Sequence, residues 1–201
     1  MPIHISGTGS FIPKNKIDNN SFSDKLFFDK DGNQYPNPND EIIEKFQTIT
    51  GIKERRYADK EHKTSDLATF AAQNAIKDAG IDKETIDYII VAHNFGDIEY
   101  GTNQYIALPS VATMVKHKLD ILNENCVAYD IIFGCPGWIE GVIQASAFIK
   151  SKMAKRCLVI GADTLSRTID ESDRDSMIFA DGAGATIIDE NLEPGGILSH
   201  K

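Results

Sequence analysis

Cys135 is the residue whose setting points most directly to chemistry, within the run Phe133-Gly134-Cys135-Pro136-Gly137-Trp138. It follows a predicted strand at 127–132 and precedes a predicted helix at 136–151, with Pro136 suited to the first helical position. Backbone N–H groups and the dipole at a helix start favour the thiolate, which is the form of cysteine that attacks carbon. We therefore predict that Cys135 is a nucleophile at a strand-to-helix junction.

The glycines on either side of Cys135 let neighbouring backbone approach closely and leave room for a substrate. The alternative is that Cys135 is a small buried residue, which is the commonest state of a free cysteine. Cys126 and Cys157 stand at strand starts without glycine neighbours, and we expect both to be packed thiols. Three cysteines without a CxxC pair suggest neither a disulfide framework nor a zinc site, so no metal is expected.

Predicted strands and helices alternate along the chain on both sides of this junction. Apolar runs typical of strands buried on both faces, as in a parallel sheet, occur at 87–92, 127–132 and 158–162. Further strands are predicted at 3–12 and 54–58, and helices at 40–49, from Thr64 or Ser65 to Ala79, at about 109–119 and at 136–151. This alternation predicts an α/β fold with a parallel or mixed sheet.

The predicted helix after Cys135 carries apolar residues around well over half of its circumference: Trp138, Ile139, Val142, Ile143, Ala145, Phe148 and Ile149. A helix with this pattern is buried on more than one side. We therefore expect a layer of protein to cover it in addition to the predicted sheet, and this chain need not contain that layer.

Composition limits the function classes. With 201 residues, 41% hydrophobic and 25% charged, the chain has the profile of an ordinary soluble globular protein. Its formal net charge of −9 argues against a nucleic-acid binder, which needs a basic surface. The N-terminus shows no signal-peptide pattern, and no apolar run approaches the roughly 20 residues that span a bilayer. We expect a cytoplasmic protein without membrane or nucleic-acid partners.

Seven motifs occur in the order found in one enzyme family, over most of residues 1–13 and 40–201. They are Ile5-Ser6-Gly7-Thr8-Gly9-Ser10 with Pro13, Thr50-Gly51-Ile52-Lys53-Glu54-Arg55-Arg56, Thr64-Ser65-Asp66-Leu67-Ala68, Ala128-Tyr129-Asp130 leading to Cys135, Gly161-Ala162-Asp163, Asp173-Arg174, and Phe179-Ala180-Asp181-Gly182-Ala183-Gly184-Ala185. In these motifs the sequence resembles the beta-ketoacyl-ACP synthase III family of the thiolase superfamily. The resemblance implies a thiolase-like fold, with a mixed, mainly parallel sheet and helices on both faces.

The resemblance implies a 3-oxoacyl-thioester synthase, an acyltransferase of fatty acid biosynthesis. Cys135 would take an acyl group from acyl-CoA or acyl-ACP as a thioester, and malonyl-ACP would lose carbon dioxide and attack it. Coenzyme A and acyl carrier protein thioesters would be substrates, and no cofactor is expected. The family acts as a homodimer and carries a histidine and an asparagine in a second, duplicated half. The resemblance thus implies that residues 1–201 are the N-terminal half and lack that pair.

Three other site residues follow from the resemblance one by one. Arg174 resembles the arginine that packs against the adenine of coenzyme A, and Leu165 and Phe179 resemble residues that line the acyl pocket. The sequence departs from the family at Lys45, Phe46 and Ile49, where a tryptophan and an arginine usually reach the coenzyme A site. It also carries a longer insertion at 95–108, beside the acyl tunnel and dimer interface of the family.

Several alternatives remain open at the level of sequence. His93 follows a predicted strand and could replace the missing base, although a loop histidine is usually solvated. Lys150, Lys152, Lys155 and Arg156 could dock an acidic carrier protein, although cations also favour the last turn of a helix. The rival functions are hydroxymethylglutaryl-CoA-synthase-like condensation, acyl transfer without decarboxylation, and a non-catalytic thiolase-like interaction subunit.

Overall fold

The computed structural model describes residues 3–102, 104–190 and 196–199. Its strands are β1 Ile3–Phe11, β2 Asn15–Asp18, β3 Glu54–Tyr57, β4 Tyr88–His93, β5 Asp97–Ile98, β6 Tyr105–Ile106, β7 Val127–Ile132, β8 Arg156–Thr164 and β9 Asp181–Glu190. Its α-helices are α1 Asn39–Thr50, α2 Thr64–Ala79, α3 Val111–Lys118 and α4 Gly137–Lys150. The predicted elements are confirmed to within a few residues at their ends.

The main sheet has the strand order β1-β9-β8-β4-β7. β8, β4 and β7 are parallel, whereas β9 is antiparallel to both β1 and β8. The sheet is therefore mixed, and four of its five strands run in one direction. Because Ala92 pairs with both Ile131 and Gly161, the carboxyl ends of β4, β7 and β8 meet at one edge, where ligands bind in open α/β sheets.

Helices cover both faces of the sheet. The alanine-rich face of α2 packs with α3 against Ile89 and Val91 of β4, and α4 packs against Ile90 on the opposite face. This division follows from the two-residue period of a strand, since alternate side chains of β4 point to opposite faces. The predicted α/β architecture with helices on both faces is confirmed.

The predicted cap of α2 at Thr64 or Ser65 is wrong. The helix starts after Lys63, whose backbone N–H donates to the Asp66 carboxylate at 2.8 Å. Both hydroxyls have other partners, because Thr64 lies 2.8 Å from the Thr164 hydroxyl and Ser65 donates to Asp97 at 2.7 Å. Gly80 ends the helix in the left-handed conformation, at φ +64°, as its sequence position indicates.

The strand β7 differs from its prediction in burial. Its apolar run predicts burial on both faces, yet β7 is the edge strand of the sheet, with Val127 and Ile132 exposed. Within the described ranges β4 is its only partner in that sheet. The apolar composition of β7 is therefore not accounted for by contacts within these residues.

The helix α4 buries one side and leaves part of another open. Ala145 and Ile149 are buried against the sheet, whereas Ile139 is 55% exposed. The part of the chain that the structure describes places no layer over Ile139, so the additional layer that the sequence predicts is not found among these residues. None of the helices in the described ranges is long and apolar enough to cross a membrane.

Candidate active site

The thiol of Cys135 is exposed in the turn between β7 and α4. Gly134 takes a left-handed conformation at φ +67°, and its carbonyl accepts a hydrogen bond from the Gly137 N–H at 3.0 Å. Pro136 precedes the first helical residue instead of being it, so Cys135 lies two residues before α4. The alternative that Cys135 is a buried structural thiol is wrong, and the strand-to-helix junction is confirmed.

Two glycines bring α4 into direct contact with the sheet behind Cys135. A Cβ atom at residue 137 would lie 2.8 Å from the Cβ of Ala92, and one at residue 141 would lie 2.7 Å from Cγ1 of Val159. Real Cβ atoms do not approach so closely, because such distances fall well inside van der Waals contact. Glycine at both positions therefore allows the start of α4 to pack directly against the sheet, and this close packing sets the position of Cys135 relative to the sheet.

Cys135 borders an open cleft of about 280 Å³ at the carboxyl ends of the parallel strands. Its lining combines small residues with Trp138, Asp163 and Leu165. The indole Nε1 of Trp138 donates to the Thr186 hydroxyl at 3.3 Å, which ties the first turn of α4 to β9. The abundance of glycine and alanine along this lining leaves backbone accessible beside the thiol.

The structure places the other predicted acyl-pocket residues near this cleft. Leu165 is one of its lining residues. Phe179 is 38% exposed, and its neighbour Ala180 lines the cleft. Leu165 therefore lies in the same cleft as Cys135, and Phe179 is next in the chain to a residue of that cleft; contact of either side chain with a substrate remains a prediction.

Asp163 and Asn94 join two strand ends beside the cleft, and the sequence analysis did not single out either as a site residue. The Asp163 carboxylate accepts from the Asn94 N–H at 2.9 Å and from its side-chain amide at 2.7 Å. Burial raises the pKa of Asp163, and the two bonds from Asn94 oppose that rise. A Cβ at residue 134 would lie 3.3 Å from Asn94 Oδ1. The pair therefore supports the turn before Cys135.

Arg174 lies in a second cleft, of about 330 Å³, which we call the α1 cleft. Its lining includes Tyr35, Lys45, Phe46, Ile49, Arg174 and Ile178. The three residues at which the sequence departs from the family, Lys45, Phe46 and Ile49, are thus brought together with Arg174. The guanidinium carbon of Arg174 lies 4.6 Å from the ring centre of Tyr35, a residue that the sequence analysis missed.

His93 is buried, contrary to the expectation of a solvated loop histidine. Its Nε2 lies 2.9 Å from Asp130 Oδ2, and Asp130 also accepts from the N–H groups of Val111 and Ala112 at the start of α3. His93 lines a separate cavity together with residues of the insertion at 95–108, of which residue 103 lies outside the described residues. Its contacts support α3, and the Cys135 cleft does not include it.

Cys126 and Cys157 are buried, as the sequence predicts. Burial raises the pKa of both thiols, that of Cys157 to about 12. Arg156 of the predicted basic cluster is engaged by Asp189, with Nε 2.6 Å from the carboxylate. In the described ranges, no group of three or more histidine, cysteine, aspartate or glutamate side chains is placed to hold a metal ion.

The fold and the cysteine junction define a class of protein: a thiolase-like α/β fold with a cysteine at the carboxyl edge of its sheet. The structure resembles 3-oxoacyl-[acyl-carrier-protein] synthase III from Aquifex aeolicus, with a TM-score of 0.77 and 33% identity over 95% of this chain and 55% of that one. The synthase III from Thermus thermophilus matches with a TM-score of 0.75 and 30% identity, over 96% of this chain and 53% of that one.

Sequence comparisons find the same kind of enzyme. The family model for 3-oxoacyl-[acyl-carrier-protein] synthase III matches residues 129–201. Beta-ketoacyl-[acyl-carrier-protein] synthase III of Neisseria meningitidis is 41% identical over 97% of this chain and 54% of its own length. Synthase III 1 of Vibrio parahaemolyticus is 41% identical over 98% of this chain and 55% of its own length. The chain is similar to beta-ketoacyl-ACP synthase III along nearly its whole length. It spans about half the length of these curated relatives.

Proposed function

We propose that the complete protein is a 3-oxoacyl-thioester synthase in which Cys135 is the acyl-carrying nucleophile. The observation that carries this proposal is the exposed thiol of Cys135, at a glycine-flanked helix start beside an open cleft. The Cys135 sulfur attacks the carbonyl carbon of an acyl thioester, from acyl-CoA or acyl-ACP, and forms a new thioester. The carrier sulfur leaves as a thiol with the proton that Cys135 gave up.

In the second step, malonyl-ACP loses carbon dioxide, and the resulting carbanion attacks the Cys135 thioester. The bond from the acyl carbon to Cys135 breaks, the sulfur leaves as a thiolate that takes up a proton from water, and the other product is a 3-oxoacyl thioester on the carrier. Leu165 and Phe179 contact the acyl group. Arg174 contacts the part of the donor that carries the acyl group, either coenzyme A or the phosphopantetheine arm of a carrier protein, which we call the handle. Because acyl transfer to a thiol and decarboxylation of a malonyl thioester involve no change of oxidation state that needs an external oxidant or reductant, we expect no metal or organic cofactor.

Residues outside this chain complete the site under this proposal. Residues 1–201 are the N-terminal half, and the histidine and asparagine that polarise the malonyl thioester belong to a C-terminal half. The exposed side of α4, around Ile139, offers that half an apolar surface to cover. A reducing cytoplasm suits an enzyme whose reactive thiol must stay free.

We also propose that the protein is a homodimer joined along β7. Ile132 is 76% exposed and Phe133 is 55% exposed at the end of this edge strand. An edge strand carries a row of backbone N–H and C=O groups that can pair with another strand. A second copy of β7 would extend the sheet and bury these side chains.

Intact-protein mass spectrometry tests the nucleophile. The protein is incubated with acetyl and octanoyl thioesters of coenzyme A and of acyl carrier protein, and Cys135→Ser is treated in parallel. We expect an acyl adduct on the wild type that is absent from Cys135→Ser. An adduct of equal yield in Cys135→Ser shows that another residue is acylated, and no adduct from any donor supports a non-catalytic subunit.

A second measurement separates the condensing reaction from its rivals. The acylated protein, in its complete form, is mixed with malonyl-ACP, and carbon dioxide is measured together with the mass of the carrier product. Carbon dioxide and a 3-oxoacyl carrier in equal amounts support the synthase. Transfer of the acyl group to an alcohol or amine without carbon dioxide indicates a simple acyltransferase. In a parallel reaction, the acetylated protein is mixed with acetoacetyl-CoA in place of malonyl-ACP, and a 3-hydroxy-3-methylglutaryl product indicates hydroxymethylglutaryl-CoA-synthase-like condensation.

A further inference from the structure

The α1 cleft is connected to the Cys135 cleft by a short extended segment. Ile178 lines the α1 cleft, and Ala180 lines the Cys135 cleft. The intervening Phe179 has an extended backbone, at φ −82° and ψ 144°, and two extended residues span at most about 7 Å. An acyl donor whose carbonyl carbon reaches Cys135 can therefore extend its handle along this segment into the α1 cleft.

Tyr35 covers the guanidinium of Arg174 inside that cleft, with 4.6 Å between the guanidinium carbon and the ring centre. Aromatic and guanidinium planes are the surfaces on which a purine stacks. A purine placed between them needs a separation of about 7 Å, twice the contact distance of about 3.5 Å. The direct contact of Tyr35 with Arg174 therefore fills the space that a purine would occupy between them.

Residues 25–35 form a strap that holds Tyr35 in this position. The Tyr35 N–H donates to the Phe27 carbonyl at 2.9 Å, and the side chain of Phe27 is fully buried. The Phe28 N–H donates to the Ser172 carbonyl at 3.0 Å, and Lys25 forms an ion pair with Glu171. The strap is thus fastened to the same segment that carries Arg174, so that withdrawing Tyr35 requires breaking these contacts.

The charges that line the α1 cleft are balanced. Lys45 and Arg174 are opposed by Glu41 and Asp175, and Arg174 Nε lies 3.8 Å from Asp175 Oδ1. The nucleotide of coenzyme A adds several phosphate charges to the handle, whereas a carrier-protein arm has one phosphodiester and an otherwise uncharged chain. Because the α1 cleft has no excess positive charge, it does not favour coenzyme A, which is the more highly charged donor, over the carrier-protein arm.

We propose that Tyr35 selects the acyl donor: its stack on Arg174 excludes a nucleotide, so that Cys135 takes its acyl group from the phosphopantetheine arm of a carrier protein. This inference rests on the proposed function, because it concerns the first half-reaction of Cys135. In that step the bond from the acyl carbon to the arm sulfur breaks, and a bond to Cys135 Sγ forms. The arm leaves as a thiol and takes up the cysteine proton.

Rates of acylation at Cys135 test the selection. Octanoyl-CoA, octanoyl-pantetheine and octanoyl carrier protein are compared at equal concentration with the full chain, and the adduct is followed by intact-protein mass spectrometry. We expect the carrier protein and pantetheine donors to react at least about tenfold faster than octanoyl-CoA. We expect Tyr35→Ala to raise the ratio of the CoA rate to the pantetheine rate by about tenfold, a difference of about 1.4 kcal/mol.

Two matched variants separate the ring of Tyr35 from the strap as a whole. Tyr35→Phe keeps the aromatic plane and should keep the wild-type ratio. Leu26→Ala removes an exposed apolar side chain of the same strap and should also keep it. Equal rates with CoA and pantetheine donors in the wild type, unchanged in Tyr35→Ala, would overturn the selection while leaving the nucleophile in place. No acylation from any donor contradicts the proposed function instead.

A binding measurement tests the exclusion without relying on acylation. Adenosine 3′,5′-bisphosphate, the nucleotide of coenzyme A, is titrated calorimetrically into the wild type and Tyr35→Ala. Opening the stack should give Tyr35→Ala an affinity at least about tenfold higher than that of the wild type. Equal affinity in both proteins would show that Tyr35 does not block this cleft.

Discussion

The three cysteines differ in exposure, and that difference supports the proposal that Cys135 is the nucleophile. Cys135 is exposed beside a cleft, whereas Cys126 and Cys157 are buried among apolar side chains. The thiolate is the reactive form, and burial disfavours it, which is why the pKa of Cys157 rises to about 12. The chain therefore presents one thiol that a reagent can reach, at the position where the fold provides a cleft.

Alkylation with iodoacetamide at pH 8 provides a test at the scale of single residues. We expect one carbamidomethyl group on the native protein, located at Cys135, and three after unfolding. Cys135→Ser should take up none while native. Labelling of Cys157 at the same rate as Cys135 would show that its burial does not protect it. The measurement is peptide mass mapping over time.

Individual elements of the chain hold Cys135 in place. Gly137 and Gly141 let α4 lie directly on β4 and β8, and the Asp163–Asn94 pair joins the strand ends beside the turn. Asp130 links β7 to α3 and to His93. These contacts connect the elements around the site through short polar bonds and close helix packing.

The packing of α4 predicts the effect of Gly137→Ala. The added Cβ meets Ala92 at 2.8 Å, so the helix start must move away from the sheet. We expect a loss of about 1–3 kcal/mol in the free energy of unfolding, together with slower alkylation or acylation of Cys135. Denaturant unfolding and labelling rates measure the two effects.

Ser146→Ala is the matched control on the same helix. Ser146 is buried, and its hydroxyl has no hydrogen-bond partner among the described residues. Removing such a hydroxyl should leave the free energy of unfolding unchanged or raise it. If Gly137→Ala and Ser146→Ala had the same effect, the close contact of α4 with β4 would not set the position of the helix.

The Asp130 carboxylate predicts a larger loss on mutation. Asp130→Ala removes its bonds to Val111, Ala112 and His93 and leaves these donors without their acceptor. We expect the free energy of unfolding to fall by about 3 kcal/mol. Asp24→Asn, which changes an exposed carboxylate, should alter it by less than about 0.5 kcal/mol. Similar losses in both variants would contradict a structural role for Asp130.

At the scale of the whole molecule, several apolar side chains are exposed on surfaces that the described residues leave uncovered. Ile139 lies on the open side of α4, and Ile132 and Phe133 follow the edge strand β7. The chain spans about half the length of its relatives, and under the proposed function a second half covers the surface around α4 and a second copy covers the β7 edge.

Sedimentation velocity tests the proposed homodimer. Ile132→Lys places a charge at the β7 edge and should raise the dimer dissociation constant at least about tenfold. Ile12→Lys is the matched control, because Ile12 is also an exposed isoleucine but follows β1, at the opposite edge of the sheet. Equal weakening by both variants, or a wild type that stays monomeric, would contradict pairing through β7.

The sequence alone determined most of the helices and strands and singled out Cys135 as the candidate nucleophile. Periodic apolar residues, together with Gly80 as a helix stop, predicted α2, and apolar runs predicted β4, β7 and β8. Cys135 was predicted because strand, glycine, cysteine and helix are consecutive in the chain. Such features depend on neighbours within a few residues, and local sequence records them directly.

Only the tertiary structure decided which elements meet. It placed the apolar strand β7 at an edge, buried His93 against Asp130, and stacked Tyr35 on Arg174 from distant parts of the chain. A residue pattern reports how one element would be buried but does not say which partner buries it. Strand order and long-range side-chain contacts depend on the packing of the whole chain, and for that reason the contact between Tyr35 and Arg174 was visible only in the fold.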